Sequence, residues 1–293
     1  MEDKSFDILK EIKSKYKFLS KSQKLLADYI LTNFDKAAYM TGAILGESSG
    51  VSEPTVVRFA HELGYEGFPQ FKKALQNAVK VKLTTTQRIE IFSDFESGSI
   101  LRKVIQEDME NLKHTIDEIS SDNFQRAVDI ITNAERVYIA GFRTSSLLSN
   151  YLGYYLDMIL KNVTVLEHGF GDVYEKLVKF GPGDVLIGIS FPRYSSKSAD
   201  VASYAKEKGG NIIAITDNEK SPMADAGDVV LLAKSNIMAF VDTITAPLSL
   251  INGLIISVGY KNKDKTREVF RELENIWEKH DVFQNYEKGV SDE

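Results

Sequence analysis

Cysteine is absent from all 293 residues, which excludes disulfides, thiolate nucleophiles and cysteine-based zinc sites together. No apolar run reaches the roughly 18 residues of a membrane span. The start, Met1-Glu2-Asp3-Lys4-Ser5, lacks the basic and then apolar pattern of a secretory leader, so a cytoplasmic location without membrane partners is expected. Neither a GxxxxGK[ST] loop nor a GxGxxG fingerprint occurs, and no cofactor is expected. His61, His114, His168 and His280 are scattered without metal-ligand spacing, and no metal is expected.

What is present suits a two-domain globular chain: 43% hydrophobic and 27% charged residues over a length sufficient for two cores. The net charge of −6 speaks against a nucleic-acid partner, but it is unevenly spread. Residues 1–80 hold 12 Lys and Arg against 10 Asp and Glu, a balance of +2, which leaves −8 for the remainder. Any affinity for a polyanion must therefore come from local placement of Lys21, Lys24, Arg58, Lys72 and Lys73 and from two copies acting on one duplex. A solvated charged surface accounts for any one of these lysines equally well.

The run Gly50-Val51-Ser52-Glu53-Pro54-Thr55-Val56-Val57-Arg58-Phe59-Ala60 reads as a turn and a following helix. Gly50 suits the positive φ that ends a helix, Ser52 is a good N-cap, and Glu53 and Pro54 suit a first turn. Val56, Phe59, Ala60 and Leu63 share one helical face; Thr55 and Arg58 fall on another, a polar edge for a major groove. Upstream, Ser20-Lys21-Ser22-Gln23 fits a capping box opening a helix to about Asn33. A second helix is expected over 41–49, with Ile44 and Leu45 as core. Gly42 and Gly46 make it a poor helix by propensity, each costing about 1 kcal/mol relative to Ala, so tertiary packing must hold it.

Together with Leu63-Gly64-Tyr65-Glu66-Gly67-Phe68-Pro69-Gln70-Phe71-Lys72, this stretch resembles the N-terminal domain of the RpiR/MurR-type transcription regulators, over about residues 19–75. The resemblance implies a helix-turn-helix that binds double-stranded operator DNA through Ser52, Glu53, Thr55 and Arg58, with Lys21, Lys72 and Lys73 near phosphates. From periodicity alone, a helical bundle that only packs or dimerises remains open.

Residues 81–98 are polar and weakly periodic and are expected to link a reader, residues 1–80, to a second domain, residues 99–285. That domain opens with an apolar stripe, Leu101, Val104, Ile105, Met109, Leu112, Ile116 and Ile119, suited to a core or a dimer seam. A shorter helix carries Phe124, Ala127, Val128 and Ile131. Five short apolar runs then alternate with helices, near 137–140, 163–166, 184–189, 211–215 and 229–232. The predicted fold is an α/β/α layer with a five-stranded parallel sheet in the flavodoxin-like order 2-1-3-4-5. Residues 240–252 are expected to form a last long helix kinked at Pro247. A final helix carries Val269, Phe270, Leu273, Ile276 and Trp277 on one stripe.

Ligands of such sheets sit beyond the carboxyl ends of the strands where the order reverses. That rule selects Gly141-Phe142-Arg143-Thr144-Ser145-Ser146 and Ser190-Phe191-Pro192-Arg193-Tyr194-Ser195-Ser196-Lys197. Each combines hydroxyls with an arginine ahead of a helix start, suited to an anion. Both segments resemble the sugar isomerase (SIS) domain, the usual partner of an RpiR-type reader, over about residues 120–260. The resemblance implies a phosphosugar cradle in which Gly141 and Ser145 match a GxGxS motif and Ser190 and Ser195 match SxSGxT. Arg143, Pro192 and Arg193 depart from it. Pro192 removes a hydroxyl and an N–H, and Arg193 adds bulk where a phosphate needs close backbone approach.

The expectation is an anionic effector, a phosphosugar, sugar acid or related carboxylate, held by Arg143, Thr144, Ser145, His168, Ser190, Arg193, Tyr194 and Ser195. Alternatively, both arginines pair with local carboxylates such as Glu167 or Asp172. Glu167 and His168 are the candidates for proton transfer in a competing reading as a sugar-phosphate isomerase. The favoured reading is a non-enzymatic regulator, dimeric or tetrameric.

Overall fold

The structure is a computed structural model that describes residues 8–82, 97–167, 172–238 and 240–283, with Thr86 and Ile89. It divides into two compact units, Met1–Asn111 with Ser235–Thr243, and Leu112–Lys234 with Ile244–Glu293.

The first unit opens with six helices: α1 (Ile8–Lys15), α2 (Lys21–Thr32), α3 (Phe34–Ala37), α4 (Gly42–Ser49), α5 (Glu53–Glu62) and α6 (Phe68–Lys82). The capping box of α2 forms as its sequence requires: Gln23 N–H donates to Ser20 Oγ and Ser20 N–H to Gln23 Oε1. The apolar faces close on one core containing Ile12, Leu26, Ile30, Leu45, Val56, Phe59, Leu63 and Phe71. Phe59 and Tyr65 both meet the Phe71 ring edge-on, at centroid distances of 5.7 and 5.6 Å, a favoured aromatic geometry. Ile44, expected in this core beside Leu45, is 50% exposed. On so short a helix only the Leu45 side faces α2 and α5.

Helix α7 (Ser97–Glu118) spans the division between the units, which falls between Asn111 and Leu112. A two-stranded hairpin, β6 (Ile237–Met238) with β7 (Val241–Asp242), belongs to the first unit, where the Thr243 hydroxyl bonds the Asp108 carboxylate. Val241 and Asp242, expected within a long helix over 240–252, form the second strand of this hairpin instead. Helix α13 instead begins at Thr245 and ends at Lys261. Pro247 therefore sits in a first turn, where its missing N–H leaves no intrahelical bond unmade and no kink is needed.

The second unit is built on β1 (Val137–Gly141), β2 (Val163–Leu166), β3 (Val185–Ile189), β4 (Asn211–Thr216) and β5 (Val229–Leu232), all parallel and in the order β2-β1-β3-β4-β5. Helix α8 (Ser121–Asn133), α9 (Ser145–Ile159) and α13 cover one face, over Ile139, Ile187 and Ile213. Helices α10 (Val173–Lys176), α11 (Ser196–Glu207) and α12 (Pro222–Ala226) cover the other, over Tyr138, Leu186 and Ile212. Burial on both faces explains why the strands read as continuous apolar runs. At the amino ends of the strands Asp184, fully buried, accepts two hydrogen bonds from Arg136 at 2.9 and 2.8 Å and a third from the Gly181 N–H. Helix α14 (Lys263–Lys279) closes the described chain with Phe270 against the first-face core.

Phe59→Ala removes the ring on which α5 and α6 meet. It is expected to destabilise the reader by about 3–5 kcal/mol, measured as a lowered urea midpoint for the transition of that unit.

Candidate functional site

In the first unit, α4 and α5 meet through a turn that two glycines permit. Gly50 ends α4 at φ 72°, and a Cβ on Gly46 would lie 2.8 Å from the Val51 carbonyl oxygen. The low helix propensity of Gly46 is thus the condition for close approach. A Cβ on Gly42 would lie 3.2 Å from a Glu53 carboxylate oxygen, so the Glu53 side chain lies over the start of α4.

Ser52, Glu53 and Arg58 are exposed at and beyond the start of α5. Two details differ from expectation. Ser52 Oγ makes no capping bond to a first-turn N–H and lies 3.0 Å from Thr55 Oγ1 instead. Thr55, assigned to the open polar edge, is only 8% exposed, and its hydroxyl also accepts from the Arg58 guanidinium at 3.3 Å. Thr55 therefore ties Ser52 to Arg58 from below, because it starts the buried side of the helix next to Val56. Lys21 and Lys73 are exposed; Lys72 is half-buried and donates to the Tyr39 carbonyl at 3.3 Å. His61 contacts the Tyr65 carbonyl oxygen at 3.1 Å, a local role.

In the second unit, the register Gly141↔Ile189 sets the ends of β1 and β3 side by side. From there the chain leaves toward opposite faces, into α9 from β1 and into α11 from β3, which opens a crevice between the two loops. Ser145 and Ser190 are buried at its base, Tyr194 and Ser195 are half-buried, and Arg143, Thr144 and Arg193 are exposed. Neither Thr144 nor Ser195, the N-caps, spends its hydroxyl on capping its own helix.

Arg143 and Arg193 adopt φ values of 59° and 65°. The backbone thus keeps a left-handed conformation suited to glycine while presenting arginine. Gly141 is held by crowding: a Cβ would lie 2.5 Å from the Ser145 carbonyl oxygen.

The carboxylates nearby are partly committed. Asp172 caps α10 through the Tyr174 N–H and pairs with Lys197 at 3.2 Å, while Lys197 also sits 4.2 Å from the centre of the Tyr174 ring. First the Tyr174 N–H and then Lys197 hold the Asp172 carboxyl below its ordinary value. Asp217, past β4, accepts from the Tyr194 hydroxyl at 2.7 Å. Glu167 is exposed, and His168 lies outside the described residues. Sequence reasoning overlooked both Asp217 and Ser198, which is 1% exposed and whose hydroxyl has no hydrogen-bond partner. A serine three and four residues ahead of Val201 and Ala202, on the apolar stripe, was the available signal.

Residues 6–82 match the family described as the helix-turn-helix domain of the rpiR family, and residues 130–257 match the SIS domain. The chain thus joins a helix-turn-helix domain of the rpiR family to a SIS domain that follows it in sequence. An uncharacterised helix-turn-helix-type transcriptional regulator of Thermotoga maritima is 28% identical over 77% of this chain and 80% of its own length. The sugar isomerase domain of an RpiR transcription factor from Sphaerobacter thermophilus superposes with a TM-score of 0.58 at 26% identity, over 60% of this chain and 99% of that one. The Vibrio vulnificus NanR protein complexed with ManNAc-6P shares the fold with a TM-score of 0.56 at 22% identity, over 92% of this chain and 98% of that one. Among the described residues no group of His, Asp and Glu could hold a metal ion, and no helix is long and apolar enough to cross a membrane.

Two outcomes follow from the crevice geometry. Gly141→Ala is expected to force the β1–α9 turn apart and to lower the thermal midpoint by about 5 °C or more, read by calorimetry. Because folding lowers the Asp172 pKa, its contribution is present above the unfolded carboxylate range and lost as pH falls through the folded value. Asp172→Asn should therefore flatten the stability profile below about pH 4 in denaturation curves taken across pH.

Proposed function

We propose that this rpiR-family chain binds a double-stranded operator through α5 and couples that binding to a small anionic metabolite held in the SIS crevice. The observation that carries the reading is the joining, in one chain, of an exposed Ser52-Glu53-Arg58 edge on a packed helix-turn-helix to a strand-end crevice rimmed by arginine and serine. Residues 1–80 act as the reader, 81–98 as the linker and 99–285 as the sensor. Ser52, Glu53 and Arg58 face the bases, Thr55 holds Ser52 and Arg58 in place, and Lys21, Lys72 and Lys73 contact phosphates. Arg143, Thr144, Ser145, His168, Ser190, Arg193, Tyr194 and Ser195 grip the effector. The NanR of the same fold is complexed with a phosphosugar, which favours an effector from sugar metabolism.

The working form is a dimer or tetramer in the cytoplasm. Exposed apolar side chains support self-association: Leu101, Ile105, Met109 and Ile116 on α7 in a single stripe, and Leu147 and Tyr154 on α9 with Ile256 and Tyr260 on α13, two helices that pack on each other. Two symmetric readers match a palindromic operator, and the effector shifts operator affinity by its differential affinity for the two arrangements of the oligomer. The chain performs no isomerisation in this reading, although domains of the SIS fold include isomerases.

Gel-shift titrations over several salt concentrations, with DNA from upstream of the chain's own gene, test this. Specific binding is expected. Arg58→Ala should cost about 1–3 kcal/mol, and Lys73→Ala should lower the salt slope by about one. Turnover of sugar phosphates without DNA affinity would overturn it.

A further inference from the structure

The positive charge of the reader is gathered in one stretch. Residues 8–24 hold six lysines and one glutamate, whereas residues 25–82 hold six basic and six acidic side chains and balance. Helix α5 itself carries one arginine against two glutamates. The attraction of this unit for a polyanion therefore starts at α1 and the first turn of α2 rather than at the α5 edge.

Within that stretch one apolar side chain points into water. Phe18 ends the short helical turn Tyr16–Phe18 and is 82% exposed, more than any other large hydrophobic side chain among the described residues. The turn that carries it is held from beneath. Leu19 is buried, the Tyr16 hydroxyl donates to the Asp28 carboxylate at 3.0 Å, and Lys24 sits 5.6 Å from the centre of the Tyr16 ring. Lys15 donates to the Glu62 carbonyl at 3.0 Å, which ties the turn to the last residue of α5. Exposed Lys13 and Lys17 precede Phe18, and exposed Lys21 follows it. The N-terminus of α2 adds little of its own, because the capping box spends the Ser20 and Gln23 N–H groups. The lysine side chains are left to meet an anion.

Charge decides what occupies this corner. A second copy of the same stretch would set like charges face to face. A duplex instead offers phosphates on both sides of a narrow minor groove, and apolar wedges such as phenylalanine are the side chains that enter it between base steps. A basic segment ahead of the first of three helices is also where one class of three-helix reader reaches the minor groove beside the major groove that its third helix occupies.

We propose that the α1–α2 corner is a second DNA-binding site. Lys13, Lys17 and Lys21 straddle the phosphates of a minor groove beside the α5 site, and Phe18 wedges into a base step there and bends the duplex toward its major groove. The inference rests on α5 binding operator DNA.

Titration of the full chain against an end-labelled duplex from upstream of its own gene, read by gel shift and by energy transfer between the duplex ends, tests it. The wild-type chain should bend the duplex by about 20–90°. Phe18→Ser should abolish the bend and weaken binding about tenfold, with the urea midpoint of the reader unchanged because the side chain is exposed. Lys13→Ala combined with Lys17→Ala should lower the salt slope by about two. A duplex that stays straight under the wild-type chain, a Phe18→Ser variant that binds and bends as wild type does, or an unchanged salt slope in the double variant overturns the minor-groove inference alone, while loss of affinity in Arg58→Ala keeps the α5 reading. Loss of self-association in Phe18→Ser by sedimentation, with the bend retained, assigns the side chain to a protein interface and overturns the inference likewise. Failure of the wild-type chain to bind any upstream fragment overturns it together with the operator reading.

Discussion

Everything in the sensor unit depends on the parallel pairing of β1 with β3, which runs in register from Val137↔Val185 to Gly141↔Ile189. Parallel neighbours cannot be joined by a tight turn, so each strand must feed a crossover helix. Because the chain goes from β1 to β2 on one side while β3 lies on the other, the helices following β1 and β3 are sent to opposite faces. The crevice is the gap left by that divergence. Its floor is rigid, since the strands beneath are buried on both sides and the Arg136–Asp184 bond pair fixes their opposite ends. Residues that vary in chemistry can then sit on the rim without disturbing the frame.

The reader unit rests on a different constraint, the close approach of α4 and α5. Gly46 is unfavourable for a helix considered alone, yet the turn that joins the two helices leaves no room for a Cβ there, while Gly50 supplies the positive φ that ends α4. Local propensity and tertiary geometry conflict here, and tertiary geometry prevails. Such a conflict marks where backbone packing, rather than side-chain burial, defines the motif.

The strands, their order and the three reader helices were legible because apolar periodicity and capping residues act locally. Phe59, Leu45 and the Ser20–Gln23 box follow from spacing alone. Ile44, Thr55 and Ser52 were not legible to the same depth, since which side of a short helix is covered depends on the angle at which its neighbours cross it. The same holds for the hairpin at 237–242, whose strands have two residues each and carry no periodic signal. At the crevice, the positions of Arg143 and Arg193 could be read, but their left-handed backbone could not. Nor could the pairing of Lys197 with Asp172 across 25 residues of sequence, or the unpartnered Ser198 hydroxyl. These depend on long-range placement that no local pattern encodes.

The left-handed backbone at Arg143 and Arg193 has a consequence for the history of such sites. Glycine and arginine codons can differ by a single base, so one point mutation can exchange a bare peptide for a guanidinium at either position. A backbone already shaped for glycine would survive that exchange in both directions, at the cost of modest strain. The rim of this fold is therefore a place where a guanidinium can come or go one nucleotide at a time, while the sheet below it stays unchanged.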